Sequence, residues 1–242
     1  MHSMSAGRLV LCAMAVHHGA GAPPVMPELQ SGPAAVQCWC DSLTVAQVAA
    51  VARGELVLRK QAVRGSPWPR VRVYRFVEAD PLDGAAMMHD YERQPAYIPQ
   101  VRAARIIERP GVATAHVRLR FAVPVLPDQE YVVRDSVHTA PGGAFAVTWT
   151  LVAGSSVDRI DGSAVFTPWI NPQTGKRGSV LVYEQLVVPR SVLMRLPWIK
   201  SRAVAGVRDA VRAIAAEIER VATRDPALSA RQRAALRAAL VP

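Results

Sequence analysis

The sequence predicts an α+β fold: a curved antiparallel sheet of about seven strands wrapped on one long C-terminal helix, with two short helices after the first strand. Three observations predict it. Residues 101–188 hold a run of segments that alternate apolar and polar residues and are separated by turn-forming Pro and Gly. Two short helical segments interrupt the chain between residues 80 and 98. Near the end Val204, Val207, Val211, Ile214, Ile218 and Val221 recur at steps of three and four, the stripe of a single amphipathic helix.

The chain has 242 residues, half of them hydrophobic, which is enough to bury a sizeable core. The net charge is +10. The basic residues, nearly all Arg, are dispersed, with no zinc-finger spacing, RNA-binding signature or long basic run, so nucleic acid is not an expected partner. At the N-terminus Arg8 precedes the apolar run 9–16, and Ala20, Gly21 and Ala22 offer a small-residue cleavage site. Residues 1–22 therefore read as a signal peptide or leader. A cleaved signal implies export, to the periplasm in a bacterium; the alternative is a leader on a cytoplasmic protein. Residues 23–41, with Pro23, Pro24, Pro27, Gly32 and Pro33, read as a linker. Cys38 and Cys40 are too close for an unstrained disulfide and too few, even with Cys12, for a closed zinc site.

Residues 42–66 form a short helix–strand extension. Thr44 and Gln47 make a capping box, Gly54 ends the helix, and 56–59 form a strand. The main domain spans 67–224. Its first strand covers 71–77. Asp80 as N-cap and Pro81 at the first position start a helix running to about Tyr91, and a second short helix follows at 95–98. Strands are then predicted at 101–109, 113–123, 129–138, 144–152, 160–169 and 179–188, followed by the long helix. Residues 225–242 form a short helical tail capped by Ser229.

A curved sheet must cover its apolar face, and one helix is narrower than seven strands. Space remains between them, and an apolar cavity of that kind suits ligands insoluble in water. The strand phases nominate its lining: Leu119 and Phe121; Tyr131, Val133 and Asp135; Phe145 and Trp149; and Glu184, in phase with Val180, Val182, Leu186 and Val188. Asp135 and Glu184 are carboxylates among apolar neighbours. Each is either a polar anchor or acid/base in the pocket, or is paired with an arginine such as Arg75 or Arg134. Between the last strand and the long helix, Leu193, Met194 and Trp198 interleave with Arg195 and Lys200, a pattern suited to transient contact with an anionic membrane surface or to packing the helix start onto the sheet.

Three segments carry a resemblance: VRVYRFVEADP at 71–81 with DYERQPAYIP at 90–99, LPDQEYVVR at 126–134, and GSVLVYEQLVVP at 178–189 followed by the long helix. Together they resemble the START-like helix-grip superfamily of lipid-transfer domains, polyketide cyclases and coenzyme-Q-binding proteins. The resemblance covers 71 to about 221 and implies binding, and transport, of a lipid, sterol or isoprenoid between sheet and helix. The alternative it implies is a cyclase- or aromatase-like enzyme using a pocket carboxylate, for which Asp135, Glu184 and Tyr131 are the candidates. No catalytic constellation, metal site or cofactor motif stands out.

Overall fold

A computed structural model describes residues 39–123 and 127–241. The expected leader, Cys12, Cys38 and most of the expected 23–41 linker lie outside the described residues. Helix α1 (Val45–Ala52) carries the expected capping box between Thr44 and Gln47. Strand β1 (Val57–Gln61) then pairs with β2 (Arg70–Val77), so the short strand of the N-terminal extension becomes the eighth strand of the sheet. The rest are β3 (Val101–Gly111), β4 (Thr114–Phe121), β5 (Gln129–Ala140), β6 (Ala144–Gly154), β7 (Val157–Ile170) and β8 (Arg177–Pro189).

The strand order is β1-β2-β8-β7-β6-β5-β4-β3, antiparallel throughout. Strands β3 to β8 form a meander, and β8 closes against β2. The chain leaving β2 must therefore cross to the opposite edge before β3 can begin. Helix α2 (Pro81–His89) makes that crossing beneath the sheet, and all nine of its residues are buried. The expected cap holds: Asp80 Oδ1 accepts from the Leu82 amide at 2.8 Å. Gly84 permits the close approach, because a Cβ there would lie 2.3 Å from the Phe166 ring. The helix ends at His89 rather than Tyr91, and the second short helix is a 3-10 turn over Tyr91–Ala96.

Helix α3 (Pro197–Arg224) starts seven residues before its stripe, and buries Val204, Val211, Ile214, Ile218 and Val221. Helix α4 (Pro226–Leu240) is capped by Asp225, which accepts from the Leu228 amide at 3.1 Å. Ser229, the expected cap, lies inside this helix and donates to Asp83 of α2 at 2.8 Å; Arg233 pairs with the same carboxylate. Gln232 donates to Asp90 at 2.8 Å. The tail is thus bolted to the buried helix by polar side chains.

Two of the three apolar clusters among the described residues share strand β2. Val71, Val73 and Val77 join the main core with α2, α3 and the inner faces of the meander. Tyr74 and Phe76 point the other way and pack with Val51, Val57 and Val180. Trp169 meets Phe76 and Trp39 edge-on. The sheet is therefore covered on both faces at its β1-β2-β8 end.

Candidate functional site: the cavity between sheet and helix

One side of the space beneath the sheet is solid and the other is open. Helix α2 fills the first with Leu82, Ala85 and Met87, packed with Phe166, Leu181 and Ile218. The second is a cavity of about 1220 Å³ bordered by the first half of α3. On β5 the wall runs through Gln129, Tyr131, Val133 and Asp135 and stops there. On β8 it runs from Pro189 back through Val187 and Gln185 to Tyr183. Asp135, Trp149, Tyr183, Val71, Met88 and Ile214 therefore form the blind end. The mouth lies at the other end, among Phe121, Asp128, Ser155, Arg190, Met194 and Arg202.

Six of the eight predicted lining residues meet in this wall: Leu119, Phe121, Tyr131, Val133, Asp135 and Trp149. Phe121 and Tyr131 stack at 5.3 Å between ring centroids, and Trp149 lies 5.2 Å from Tyr183. Trp149 pairs across the sheet with Gly162, where a Cβ would come within 2.5 Å of its ring. Only glycine leaves the indole room to lie against β7.

Phe145 is not part of the wall. It has the inward phase of Val147 and Trp149 but sits beyond the blind end, half-buried against the solid core. Glu184 is also not part of the wall. The phase of β8 is opposite to the expected one, and Tyr183, Gln185 and Val187 face the cavity instead. Glu184 accepts from Arg70 at 2.9 Å and pairs with Arg72, while Arg70 also holds Asp161 at 2.6 Å. These are different arginines from the expected Arg75 and Arg134. Strand β8 misleads because both of its faces are covered, so both phases are apolar.

Asp135 is the one predicted carboxylate that enters the cavity. It is 6% exposed. Tyr91 Oη donates to its Oδ1 at 3.0 Å, and the Tyr91 oxygen lies 3.0 Å from His89 Nδ1. Tyr91 has spent its own proton on Asp135, so His89 donates to it from Nδ1. Burial pushes the Asp135 carboxyl up from 3.8 to about 8, partly offset by the Tyr91 hydrogen bond. Burial lowers His89 to about 4, aided by Arg109 and opposed by Asp90. At neutral pH both acid and imidazole are uncharged. Burial also holds the Tyr131 and Tyr183 phenols above their ordinary range. The periodicity carries no signal for Tyr91 and His89, since Asp135 lies 44 residues from Tyr91 and His89 joins it only through Tyr91.

At the mouth the chain forms a 3-10 turn over Val192–Arg195 before α3. Leu193 and Trp198 are more than half exposed, and Val192 and Leu196 are exposed beside them. Met194 differs from the expected membrane-contact set. It is buried with Trp68, Leu186 and Ile199, and lines the cavity. Lys200 turns back, donating to the Pro67 carbonyl at 2.9 Å with its ammonium 5.9 Å from the Trp68 ring centroid. The Arg195 side chain lies outside the described residues. Among those residues no helix is long and apolar enough to cross a membrane, and no cluster of three or more His, Cys, Asp or Glu is placed to hold a metal.

No family model matches the sequence, and no curated protein matches it. Solved structures do. A STAR-related lipid transfer protein from Xanthomonas axonopodis superposes with a TM-score of 0.57 at 16% identity, over 67% of this chain and 93% of that one. Human STARD10 gives 0.56 at 15% identity, over 73% and 72%. A START superfamily protein from Mycobacterium smegmatis gives 0.50 at 15% identity, over 63% and 98%. With the eight-stranded sheet, the buried crossing helix and the long closing helix, these likenesses identify the fold of this chain as the START-like helix-grip fold.

Proposed function

We propose that the protein binds, and carries, a hydrophobic ligand of the lipid, sterol or isoprenoid class in the cavity between its sheet and α3. The observation that supports this reading is the cavity itself: about 1220 Å³, with a wall formed largely by apolar and aromatic side chains. Solid cores do not leave such voids, and typical ligand pockets hold ~300–1,000 Å³. A ligand that buries about 400 Å² of apolar surface gains on the order of 10 kcal/mol from leaving water, before the cost of immobilisation. The solved structures of like fold include a STAR-related lipid transfer protein, which agrees with this reading. Purification under native conditions, organic extraction and mass spectrometry test it. Recovery of a stoichiometric lipid is expected; an empty protein that also takes up no fluorescent lipid or sterol would sink it.

Exposed Val192, Leu193, Leu196 and Trp198 beside Arg190 and Arg202 suit an anionic bilayer at the mouth, where a ligand would enter. Co-sedimentation with phosphatidylglycerol vesicles should exceed that with phosphatidylcholine. Replacing Leu193 and Trp198 by Ser should reduce it severalfold. The leader at 1–22 supports export, to the periplasm in a bacterium, and N-terminal sequencing of the mature protein tests that. A second reading, a cyclase-like enzyme, draws on Asp135, whose carboxyl at about 8 is placed in the cavity as an acid that could exchange a proton with a bound carbonyl compound. Tyr131 shares the wall, and Glu184 does not. Turnover of a polyketone by the wild type and not by Asp135→Asn would favour it.

A further inference from the structure

A second pocket, of about 550 Å³, lies between the end of α2, strand β3 and helix α4. It shares no lining residue with the cavity under α3. Its two long walls are a sheet edge and the tail helix. Strand β3 is the last strand of the sheet, so no further strand fills the space beside it. Helix α4 is held through its first half, by Ser229 and Arg233 on Asp83 and by Gln232 on Asp90. Beyond those contacts it presents Ala235, Ala238 and Ala239 to the pocket. Side chains this short leave the groove open, with Ile106 half-buried and Val112 exposed on the opposite wall.

Charge is the second observation. Arg109 of β3 and Arg231 of α4 line the pocket, and among the described residues neither pairs with a carboxylate. Neighbouring arginines do: Arg233 holds Asp83, and Arg93 holds Glu217. Both unpaired arginines lie beside the end of α2. Burial lowers His89, and the charge of Arg109 adds to that effect. Arg231 adjoins Gln232, which reaches Asp90 at 2.8 Å. The carboxylates of the pocket are Asp90 and Glu92. Asp90 accepts from Gln232 and lies 3.7 Å from Arg93, whereas Glu92 is exposed. Two cations therefore stand against one unmatched carboxylate.

We infer that this pocket is a second binding site, for a small amphipathic carboxylate, with the anionic head between Arg109 and Arg231 and the tail along the alanines of α4. A guanidinium fork matches a carboxylate in bidentate fashion, which favours this head over a neutral one. Between Arg231 and Ala239 helix α4 rises about 12 Å, at ~1.5 Å per residue, which suits a tail of medium length. An inorganic anion would meet the arginines and leave the apolar floor wet. A neutral alcohol would cover the floor and leave the arginines unmatched. The site goes beyond the ligand-binding reading above and does not depend on it.

The test titrates octanoate into the nitrogen-15-labelled full-length protein at pH 7, after the main cavity has been filled with diphenylhexatriene, a neutral apolar fluorophore. Saturable amide shifts are expected within residues 106–112 and 231–239. Octanoate should bind about tenfold more tightly than 1-octanol, ~1.4 kcal/mol, and about 0.5 M sodium chloride should remove most of that difference. Inorganic phosphate alone should leave these amides unmoved where octanoate saturates them. Arg109→Gln combined with Arg231→Gln should bring octanoate down to the level of octanol. Ala238→Trp, at an exposed helix position, should block both ligands with the arginines in place, and a thermal melt checks that it folds. Equal binding of octanol and octanoate, octanoate binding retained by the double variant, or phosphate binding as tight as octanoate overturns the assignment. So do shifts confined to residues of the main cavity. Fluorophore uptake reports that cavity separately: its absence rejects the ligand-binding reading, while the octanoate titration still decides this one.

Discussion

Asp135→Asn should remove most of the pH dependence of stability between pH 6.5 and 8. In the folded protein burial raises this carboxyl from 3.8 to about 8. In the unfolded chain it returns to its ordinary value. A raised acid contributes stability that is present in full below pH 3.8 and is lost as pH rises through about 8, because the unfolded chain ionises first. The loss proceeds at ~1.4 kcal/mol per pH unit and totals roughly 6 kcal/mol over the whole range. His89 acts in the opposite sense. Its pKa is held at about 4, so its contribution is lost as pH falls through 6.5 towards 4 and is constant only above about pH 7.5. His138 is lowered as well and follows the same rule. Tyr91, Tyr97 and Tyr183 feel the Asp135 charge, and burial holds them above their ordinary values, so they remain neutral in this window. The nearby cations are Arg109, which acts on Tyr91 and His89, and Arg93, which acts on Tyr97. In the window from 6.5 to 8 Asp135 therefore dominates, opposed by roughly a few tenths of a kcal/mol from each histidine as the unfolded chain loses its last imidazolium protons. Urea unfolding followed by circular dichroism at half-unit intervals should show the wild type losing about 1 kcal/mol across it, and Asp135→Asn flat or slightly rising. Parallel slopes in the two proteins would mean that Asp135 is ionised in the fold, and would refute the reasoning.

Two other substitutions probe the walls. Gly162→Val forces a side chain into the space of the Trp149 ring, at a cost of about 1–3 kcal/mol, and should blue- or red-shift tryptophan emission while reducing ligand uptake; unchanged emission would mean the indole does not rest on β7. Arg233→Ala leaves the buried Asp83 carboxylate with Ser229 alone, which should cost about 3 kcal/mol and expose the α4 amides to hydrogen exchange before the rest of the chain.

The parts of this fold that were legible in the sequence are those with one buried face. The α3 stripe and the alternation in β4 and β5 each record a single apolar side, and the structure places Val117, Leu119, Tyr131, Val133 and Asp135 inward together. Strand β8 carries no such record. Val180 is buried with α1 and Leu181 with the main core, so neither phase is distinguished. Phe145 exposes a second limit: period two gives the side of the sheet but not the distance along the strand at which the cavity ends. The Tyr91–Asp135 bond and the Asp83–Arg233 pair join residues 44 and 150 positions apart, and no local pattern encodes either. Ser229 looked like a cap because its true partner was out of reach of any local reading.

The cavity is open at one end because of what α3 places against it. Its first half presents Ala203, Ala205, Gly206, Val207 and Ala210 to the cavity, Ile214 closes the blind end, and beyond it Ile218 and Val221 pack into the core. Small side chains on one half of a helix leave a space that larger ones would fill. Ala210 and Ala215 test this directly, since both are buried but only Ala210 borders the cavity. Ala210→Leu should extend into empty space, raise the stability of the ligand-free protein by up to about 2 kcal/mol, and lower its capacity for diphenylhexatriene. Ala215→Leu enters the packed half and should cost about 1–3 kcal/mol instead. Thermal melts of the two variants, paired with fluorophore uptake, separate a void from a core. If both substitutions destabilise alike and uptake by Ala210→Leu is unchanged, the space beside α3 is not the place where a ligand resides.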